Sequence, residues 1–323
     1  MVFVTGATGF IGSYICRSLL LHGHQLRCLK RAQSNMKLLE DVAHLIEWVE
    51  GDLMDLLWLE QQLEGVDKIV HAAAMVSFGD EDPSEMYHTN IQGTHQLVNL
   101  ALEKQIKQFV HISSIAAIGN APEGEITDES HHWEEKSDGS SAYALSKQRA
   151  EMEVWRGVYE GLNAVIVNPS VVLGPCPANQ SSGKLLAYLK EGNRFYTEGT
   201  ISLVDVRDVA EVVRLLMEKE ILGERFILSA ASKGYQEFFK EVRQRWGLTM
   251  SLKKIGKKRL TSLRAIEKLI GLISGRQAKI SKDMIRQVGE SNYYSSDKVM
   301  DFLDFQFRPL AETLDWTCQS FDT

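Results

Sequence analysis

Apolar and polar stretches alternate regularly along the first 230 residues and predict strands and helices in succession. Short runs of β-favouring residues are followed by longer stretches with apolar residues at helical spacing. The predicted strands are 2–5, 25–29, 45–49, 66–71, 109–112, 165–167 and 225–228, with a further short strand near Ile201. Such alternation is typical of an α/β fold with a parallel sheet wound through right-handed crossovers.

The helices predicted between these strands complete the pattern, which lapses beyond Ala230. They are residues 11–21, 55–63, 85–104, a helix opened by Tyr143, 184–191 and 204–219. Residues 121–140 are polar and acidic and predict a surface loop or lid. The prolines of 168–175 are expected to end regular structure after the sixth strand.

The first predicted strand runs directly into three glycines spaced three apart, Gly6, Gly9 and Gly12, and a helix follows. A glycine turn lets the backbone approach a pyrophosphate, while free N–H groups at the helix N-terminus face its negative charge. We expect Gly6 to make the turn, Gly9 to permit the close approach, and Gly12 to pack helix on strand. The motif predicts a dinucleotide site.

The second predicted strand ends in Lys30 and Arg31. Dinucleotide folds place at this point a carboxylate for the ribose 2′-hydroxyl of NAD or a basic residue for the 2′-phosphate of NADP. No carboxylate is present, so the sequence favours NADP, with NAD still possible. The alternative is a solvated pair of charges in a loop.

Small residues follow the fourth predicted strand, at Ala72, Ala73 and Ala74. In open α/β sheets, ligands bind beyond the carboxyl ends of the strands, and three alanines leave room there for a bulky group. Simple core packing by alanine is the competing interpretation.

Tyr143 and Lys147 are the residues that suggest catalysis. They stand four apart on a predicted helix, so both project from one face. A neighbouring ammonium is expected to lower the phenol pKa from its usual value of about 10, which makes Tyr143 a usable proton donor or acceptor. Ser114, at the end of the fifth predicted strand, could bind the same substrate oxygen.

Net charge, cysteine spacing and the length of apolar runs exclude several classes of protein. The net charge of the 323 residues is −7, which argues against nucleic-acid binding. The four cysteines are scattered, so neither a metal site nor a disulfide framework is predicted. We expect a cytoplasmic protein with no signal peptide, since Val2 already belongs to the first strand, and no membrane span, since no apolar run approaches about 20 residues.

Residues 251–282 carry ten Lys or Arg against one Glu, among leucines and isoleucines at helical spacing. The first interpretation is a solvated amphipathic helix that covers the edge of a domain. The alternatives are a surface for a phosphate-bearing substrate, for a partner protein or for a membrane.

Taken together, these motifs resemble the extended short-chain dehydrogenase/reductase family. Within that family the chain is similar to the branch of dihydroflavonol reductases and related aldehyde reductases and sugar epimerases. The resemblance covers most of 1–228 and is weak in the C-terminal third. The residues that carry it are 5–12, 51–53, 71–74, 90–94, Ser113 and Ser114, 143–147, 168–170, Gly174 and Pro175, and 205–210.

The resemblance implies a doubly wound Rossmann sheet of about seven strands and a smaller C-terminal substrate domain. The expected dinucleotide-binding domain is 1–167 plus 201–231, and the expected substrate-binding domain is 168–200 plus 232–323. Relatives often form homodimers through two helices per subunit, which would be 85–104 and 143–159 here.

The resemblance also implies roles for single residues. Ser114 and Tyr143 would bind the reacting oxygen, and Lys147 would hold the nicotinamide ribose and tune Tyr143. Asn90 supports the active site in relatives. The expected cofactor contacts are Gly6, Thr8, Gly9, Phe10, Ile11, Arg31, Asp52, Leu53, Ala72, Ala73, Ala74, Tyr143, Lys147, Pro169 and Val172.

Three functions remain open from the sequence. The first is an NADP-dependent reductase of a ketone or aldehyde of a small-molecule substrate, with Tyr143 as general acid. The second is a nucleotide-sugar epimerase or dehydratase with a retained cofactor. The third is an NADP-sensing regulator without activity, against which the intact Ser114, Tyr143 and Lys147 argue.

Overall fold

A computed structural model describes residues 1–76, 82–122, 124–131, 141–180, 182–219, 221–274 and 281–321, with the side chains of 268–274 excepted. The strands in this part of the chain are β1 (Val2–Thr5), β2 (Leu26–Lys30), β3 (Glu47–Glu50), β4 (Lys68–His71), β5 (Gln108–Ile112), β6 (Ile126–Thr127), β7 (Ala164–Pro169), β8 (Val171–Leu173), β9 (Phe195–Tyr196), β10 (Thr200–Asp205), β11 (Glu224–Leu228), β12 (Ala231–Gly234), β13 (Lys253–Lys254) and β14 (Tyr293–Tyr294).

The helices are α1 (Phe10–Leu21), α2 (Leu56–Gln62), α3 (Ser84–Tyr87), α4 (Gly93–Glu103), α5 (Ala142–Tyr159), α6 (Gly183–Lys190), α7 (Val206–Glu218), α8 (Tyr235–Arg245), α9 (Lys257–Ser274), α10 (Lys282–Arg286), α11 (Asp297–Leu303) and α12 (Leu310–Ser320). Short 3₁₀ turns lie at Lys37–Leu39, Ala43–Leu45 and Ile115–Ala117, and a π-helical turn lies at His88–Gln92.

Seven parallel strands form the central sheet in the order β11-β7-β5-β4-β1-β2-β3. Because side chains alternate along a strand, Val2 and Val4 pack with α1 and α7, whereas Phe3 packs with α4 and α5 on the opposite face. The sheet is therefore covered by helices on both faces, and the predicted Rossmann fold is confirmed.

A second apolar core surrounds the three-stranded sheet β12-β10-β8. Here β10 pairs parallel with β8 and antiparallel with β12, and side chains of α6, α8 and α12 cover these strands. The strand expected near Ile201 is β10, so it joins this sheet and not the central one. The two remaining pairs, β13 with β9 and β14 with β6, each contain two residues per strand.

Three local predictions were correct only in part. The helix expected over 85–104 is present as one continuous helical stretch, but it contains a π-helical turn at His88–Gln92 between α3 and α4. Pro169 is the last residue of β7, as expected, but β8 begins two residues later, so regular structure resumes within 168–175. Within the loop expected over 121–140, Ile126 and Thr127 form β6, while residues 132–140 lie outside the described part of the chain.

Candidate active site

The carboxyl ends of the parallel strands bring the sequence motifs to one edge of the sheet. The strand order reverses between β1 and β4, since β2 and β3 lie on one side of β1 and β4, β5, β7 and β11 on the other. Open α/β sheets bind ligands in the crevice outside this reversal. The glycine turn after β1 and the alanines after β4 lie next to each other at this reversal.

Gly6 and Gly12 allow the turn after β1 to pack closely against the segment after β4 and against the first turn of α1. Gly6 has a φ of +70°, and a Cβ atom placed on it would lie 2.5 Å from the carbonyl carbon of Ala72 and the nitrogen of Ala73. A Cβ atom on Gly12 would lie 2.1 Å from the Gly6 oxygen. Both positions therefore require glycine, one for the turn and one for the packing of α1 on it.

The N-terminus of α1 points its unpaired backbone N–H groups towards the crevice edge. Gly9 is the N-cap residue and has no side chain that could cap the helix. No acidic residue lies in the first turn. The first helical bond runs from the Ser13 nitrogen to the Gly9 oxygen, 2.9 Å, so the N–H groups of Phe10 and Ile11 have no partner within the helix. Thr8 is half-buried beside them. This end of α1 is suited to an anion.

A chain of hydrogen bonds joins β1, β4 and α4 beneath the crevice. The Ala73 N–H donates to Thr5 Oγ1 (3.3 Å), and Thr5 Oγ1 lies 2.7 Å from His71 Nδ1. On the other side of the ring, His71 Nε2 lies 3.0 Å from Thr94 Oγ1, which itself donates to the Asn90 carbonyl (2.6 Å). Since Thr94 has used its proton, His71 donates from Nε2 and accepts from Thr5 at Nδ1.

His71 leads to a prediction about acid stability. Burial lowers the pKa of His71 from 6.5 to about 3, so between these values the unfolded chain binds a proton that the folded chain does not. The contribution of neutral His71 to the free energy of unfolding is fully present above pH 6.5. It falls by about 1.4 kcal/mol per pH unit as the pH drops towards 3.

We expect the free energy of unfolding in urea to fall more steeply below pH 6.5 in the wild type than in His71→Gln, whose amide keeps a donor and an acceptor but does not titrate. The neighbouring His111 remains in both proteins, and its pKa is lowered first by burial and by Lys147 and less by His71, so most of its contribution is common to the two. Equal slopes would contradict this account of His71.

The two basic residues after β2 have different surroundings. Lys30 Nζ lies 2.6 Å from Glu50 Oε2, across the pairing of β2 with β3. Arg31 starts a tight turn, in which its N–H donates to Ser34 Oγ (2.9 Å), and its side chain is exposed. Arg31 is therefore the more accessible of the two cations at this strand end.

Asp52 and Leu53 follow β3 at the same edge of the sheet. The Asp52 side chain is exposed and accepts a hydrogen bond from the Met54 N–H, 2.9 Å. Leu53 is buried, and a Cβ atom on Gly93 would lie 2.6 Å from its Cδ2. Ala72 and Ala73 are half-buried and Ala74 is exposed, and the three small side chains lie beyond the carboxyl end of β4.

Ser114 and Tyr143 meet at the end of β5. Ser114 follows β5 in an extended conformation and caps the 3₁₀ turn Ile115–Ala117 by accepting from the Ala116 N–H (3.2 Å). Ser141 caps α5 in the same way, so Tyr143 lies in the first turn of this helix. A hydrogen bond joins the two hydroxyl groups. The structure thus brings together two of the predicted catalytic residues.

Burial raises the pKa of Tyr143, and the hydrogen bond with Ser114 opposes this to a smaller extent. The direction predicted from the sequence was the opposite, with Lys147 lowering the Tyr143 pKa. That expectation was wrong for this structure, because burial of the phenol outweighs the neighbouring groups.

Lys147 is buried one helical turn after Tyr143. Its Nζ donates to the Ile112 carbonyl, 2.8 Å, at the end of β5. Burial lowers the Lys147 pKa to about 8, and the negative charge of Glu151 opposes the shift. The amine is therefore held at the strand end that leads into Ser114.

Glu151 was not predicted as a site residue from the sequence, and no particular role was predicted for Asn168. Both are buried, and Asn168 Nδ2 donates to Glu151 Oε1 (2.5 Å) and to the Ser114 carbonyl (2.9 Å). Arg225 lies on the other side of this carboxylate, with Nη1 3.6 Å from Glu151 Oε2. Glu151 could have been found from its spacing, four residues after Lys147 on one helix face. The contact with Asn168 had no local signal.

Asn90 ties the segment after β4 to the helix of Tyr143. Its Nδ2 donates to the Met75 carbonyl (2.9 Å) and to Ser146 Oγ (3.0 Å), while its Oδ1 accepts from the Met75 N–H (2.7 Å). Ser146 in turn donates to the Tyr143 carbonyl, 2.8 Å. Asn90 lies in the π-helical turn, and such turns are frequent at functional sites.

Pro169 and Val172 lie beyond Ser114 along the same edge. Pro169 closes β7 beside Leu228 of β11, and Val172 is buried in β8. Ser170, between them, is buried too, and its N–H donates to the Leu228 carbonyl (2.9 Å). The two residues expected near the nicotinamide thus adjoin the strand end that carries Asn168.

Comparison with known proteins agrees with this geometry. The model of the NAD dependent epimerase/dehydratase family matches residues 2–228. The chain is 31% identical to a putative dihydroflavonol 4-reductase from Synechocystis, over 97% of this chain and 92% of that protein. It is 30% identical to cinnamoyl-CoA reductase 1 from Arabidopsis thaliana, over 72% of this chain and 71% of that protein.

Solved structures show the same fold. The crystal structure of gox2253 covers 100% of this chain and 98% of its own, with 31% identity and a TM-score of 0.86. UDP-glucose 4-epimerase from Thermotoga maritima has a TM-score of 0.81 at 20% identity, with 99% of this chain and 98% of that chain covered. The match over 2–228 and the 31% identity along nearly the whole chain show that this protein belongs to the NAD-dependent epimerase/dehydratase family, within the dihydroflavonol-reductase-like branch of the extended short-chain dehydrogenases/reductases.

Proposed function

We propose that this protein is an NADP-dependent reductase of a ketone or aldehyde on a small-molecule substrate. The observation that carries the proposal is the hydrogen-bonded pair Ser114 and Tyr143, with Lys147 buried one turn away, at the carboxyl edge of a sheet with a glycine turn. Relatives named as dihydroflavonol 4-reductase, cinnamoyl-CoA reductase and anthocyanidin reductase support a reductase.

The residues at the crevice fit a dinucleotide. Gly6 and Gly12 leave no room for a Cβ atom, and the α1 N-terminus has no acidic residue to repel a pyrophosphate. Gly9, Phe10 and Ile11 would hold the pyrophosphate. The adenine end would lie near Asp52, Leu53 and Arg31, the ribose near Ala72–Ala74 and Lys147, and the nicotinamide near Pro169 and Val172. When bound, NADPH would supply the hydride that reduces the carbonyl carbon.

The side chains supply the proton and the orientation. The Tyr143 hydroxyl donates its proton to the carbonyl oxygen, and the Ser114 hydroxyl donates a hydrogen bond to that oxygen, which holds it in place. Lys147, as an ammonium, favours the phenolate that remains on Tyr143. Because burial raises the pKa of Tyr143, the phenol keeps its proton at neutral pH until the oxygen of the substrate becomes more basic.

The function is tested with NADPH and a panel of ketones, aldehydes and nucleotide sugars. We expect NADPH oxidation on a carbonyl substrate and release of the cofactor in each turnover. NAD that stays bound through purification, does not exchange, and supports interconversion of a nucleotide sugar would replace the reductase by the epimerase alternative. NADPH binding without turnover of any substrate would favour a regulator.

Arg31 carries the preference for NADP. Its guanidinium is exposed at the end of β2, where a 2′-phosphate would lie, whereas Lys30 is paired with Glu50. A charge-assisted hydrogen bond contributes about 1.5–3 kcal/mol, so Arg31→Ala should weaken NADP binding on the order of ten- to a hundredfold and leave NAD nearly unchanged.

Isothermal titration of both cofactors measures this preference. Lys240→Ala on α8, which also removes an exposed cation, is the matched control and should bind both cofactors as the wild type does. Equal affinity of the wild type for NAD and NADP would contradict the prediction.

We propose that residues 1–167 plus 201–231 bind the dinucleotide and that 168–200 plus 232–323 bind the substrate. The separate apolar core of β8, β10, α6, α8 and α12 supports a second unit, although β10 itself lies in the segment assigned to the first. Limited proteolysis with and without NADPH, followed by mass spectrometry, would locate the protected segments and test the division.

We also propose a cytoplasmic homodimer that pairs through the α4 and α5 region. On α5 the Met152 and Tyr159 side chains are 57% and 91% exposed, which supports an apolar contact there. Cys16 and Cys28 are free thiols with their Sγ atoms 3.7 Å apart, as a reducing compartment would leave them. Light scattering of the purified protein would test the dimer.

A further inference from the structure

The helix α9 presents an outward surface that the reductase mechanism does not use. Leu260 is buried and Arg264 and Glu267 are half-buried, so this line of residues, spaced four and three apart, faces the protein. On the outward side Leu263 and Ile266 are 39% and 54% exposed. In the sequence, apolar residues recur at 263, 266, 270 and 273, a spacing typical of an amphipathic helix.

Cations precede these exposed aliphatic side chains along the chain. Lys257, Lys258 and Arg259 are all exposed in the first turn of α9, and of the two exposed lysines of β13, Lys254 is paired with Glu198. Positive charge at a helix N-terminus opposes the helix dipole, so these three residues do not stabilise the helix that carries them. Their placement therefore calls for an explanation outside the helix.

The charge of this segment is opposite to that of the rest of the protein. Residues 251–282 hold ten Lys or Arg and one Glu, whereas the whole chain has a net charge of −7. The surface is thus complementary to an anionic partner. A small phosphorylated substrate would match the cations but would leave Leu263 and Ile266 in water, whereas an anionic bilayer matches both kinds of side chain.

We propose that α9 docks this protein on the surface of an anionic lipid bilayer. Leu263 and Ile266 enter the interface between headgroups and acyl chains, and Lys257, Lys258 and Arg259 contact the headgroup phosphates. The attachment is peripheral, because within the described residues no helix has the length and apolar character needed to span a bilayer.

Vesicle sedimentation tests the proposal with the full-length protein. We expect binding to phosphatidylcholine vesicles that contain phosphatidylglycerol, little binding to pure phosphatidylcholine, and weaker binding as salt is raised. A basic residue near an anionic membrane contributes about fivefold in affinity, so Lys257→Gln, Lys258→Gln and Arg259→Gln together should lower the affinity roughly a hundredfold. Leu263→Ser with Ile266→Ser should lower it at least tenfold.

Matched controls separate this site from general charge and hydrophobicity. Replacing the exposed Lys37, Lys184 and Lys240 with Gln removes the same charge elsewhere, and replacing the exposed Leu21 and Leu57 with Ser removes similar apolar groups. Both controls should bind vesicles as the wild type does. Circular dichroism of every variant shows whether α9 and the fold are retained.

Several results would overturn the proposal. Equal binding to neutral and anionic vesicles, no binding to either, or unchanged binding of folded α9 variants would each do so. If the triple Gln variant instead raises KM for a phosphorylated or CoA-linked substrate while the wild type ignores vesicles, the basic surface belongs to the substrate site. Binding of an acidic protein with no affinity for lipid would likewise assign the surface to a protein partner.

Discussion

Tyr143→Phe is expected to lower kcat by about 10²–10⁴-fold, the usual contribution of general acid catalysis. The substitution removes the hydroxyl that bonds to Ser114 and keeps the ring, so the packing of the first turn of α5 is retained. Affinity for NADPH should stay close to the wild-type value. Steady-state kinetics on a good carbonyl substrate, with cofactor titration by fluorescence, measures both.

A second tyrosine provides the control for this substitution. Tyr14 is also partly buried, and its hydroxyl donates to the Pro175 carbonyl (3.2 Å), but it lies on α1, away from Ser114. Tyr14→Phe should leave kcat within a few-fold of the wild type. If Tyr143→Phe kept nearly full activity, Tyr143 would be removed from the mechanism, and with it most of the support for a reductase.

Lys147→Met is expected to lower both kcat and cofactor affinity, because in the proposed mechanism one ammonium serves both the phenol and the ribose. Methionine keeps the length and apolar stem of lysine, so the packing of α5 changes little, although the Ile112 carbonyl loses its 2.8 Å partner. A positive charge near a phenol favours the phenolate left after proton transfer, so its loss should move the basic limb of the pH–rate profile upward.

The free enzyme offers a separate measurement on Lys147. Burial lowers its pKa to about 8, so the ammonium is present below pH 8 and is lost above it. The affinity of the wild type for the anionic NADPH should therefore weaken as the pH rises through 8, and this step should be absent in Lys147→Met. A step of the same size in both proteins would show that another group is responsible.

The central fold could be predicted from the sequence because its signals are local. Each strand of the large sheet is a short apolar run, and the glycines, Asp55 as the α2 cap, and the helical periodicity mark the connections. What was missed depends on contacts between distant segments. The π-helical turn contains Asn90, whose amide bonds to Met75 and Ser146. Pro169 extends β7 in register with Leu228 of β11.

In the candidate site too, local sequence signals could be predicted and contacts between distant segments could not. Spacing alone placed Tyr143 and Lys147 on one helix face, and strand ends placed Ser114 near them. The direction of the Tyr143 pKa could not be predicted, because it depends on burial that only the folded chain creates. Neither could the contacts of Asn168 with Glu151 and the Ser114 carbonyl, which join residues far apart in the chain.

The different surroundings of Gly6 and Arg31 bear on how this enzyme could be engineered or could evolve. Gly6 lies against the backbone of Ala72 and Ala73. A side chain at this position would therefore have to push apart the segments that follow β1 and β4. Arg31 is exposed in a turn whose bonds are made by backbone atoms and Ser34, so exchanging its side chain leaves those bonds intact. On the proposed role of Arg31, a single substitution would change cofactor preference at little cost in stability, whereas the turn proposed to hold the pyrophosphate is fixed by the packing of the sheet.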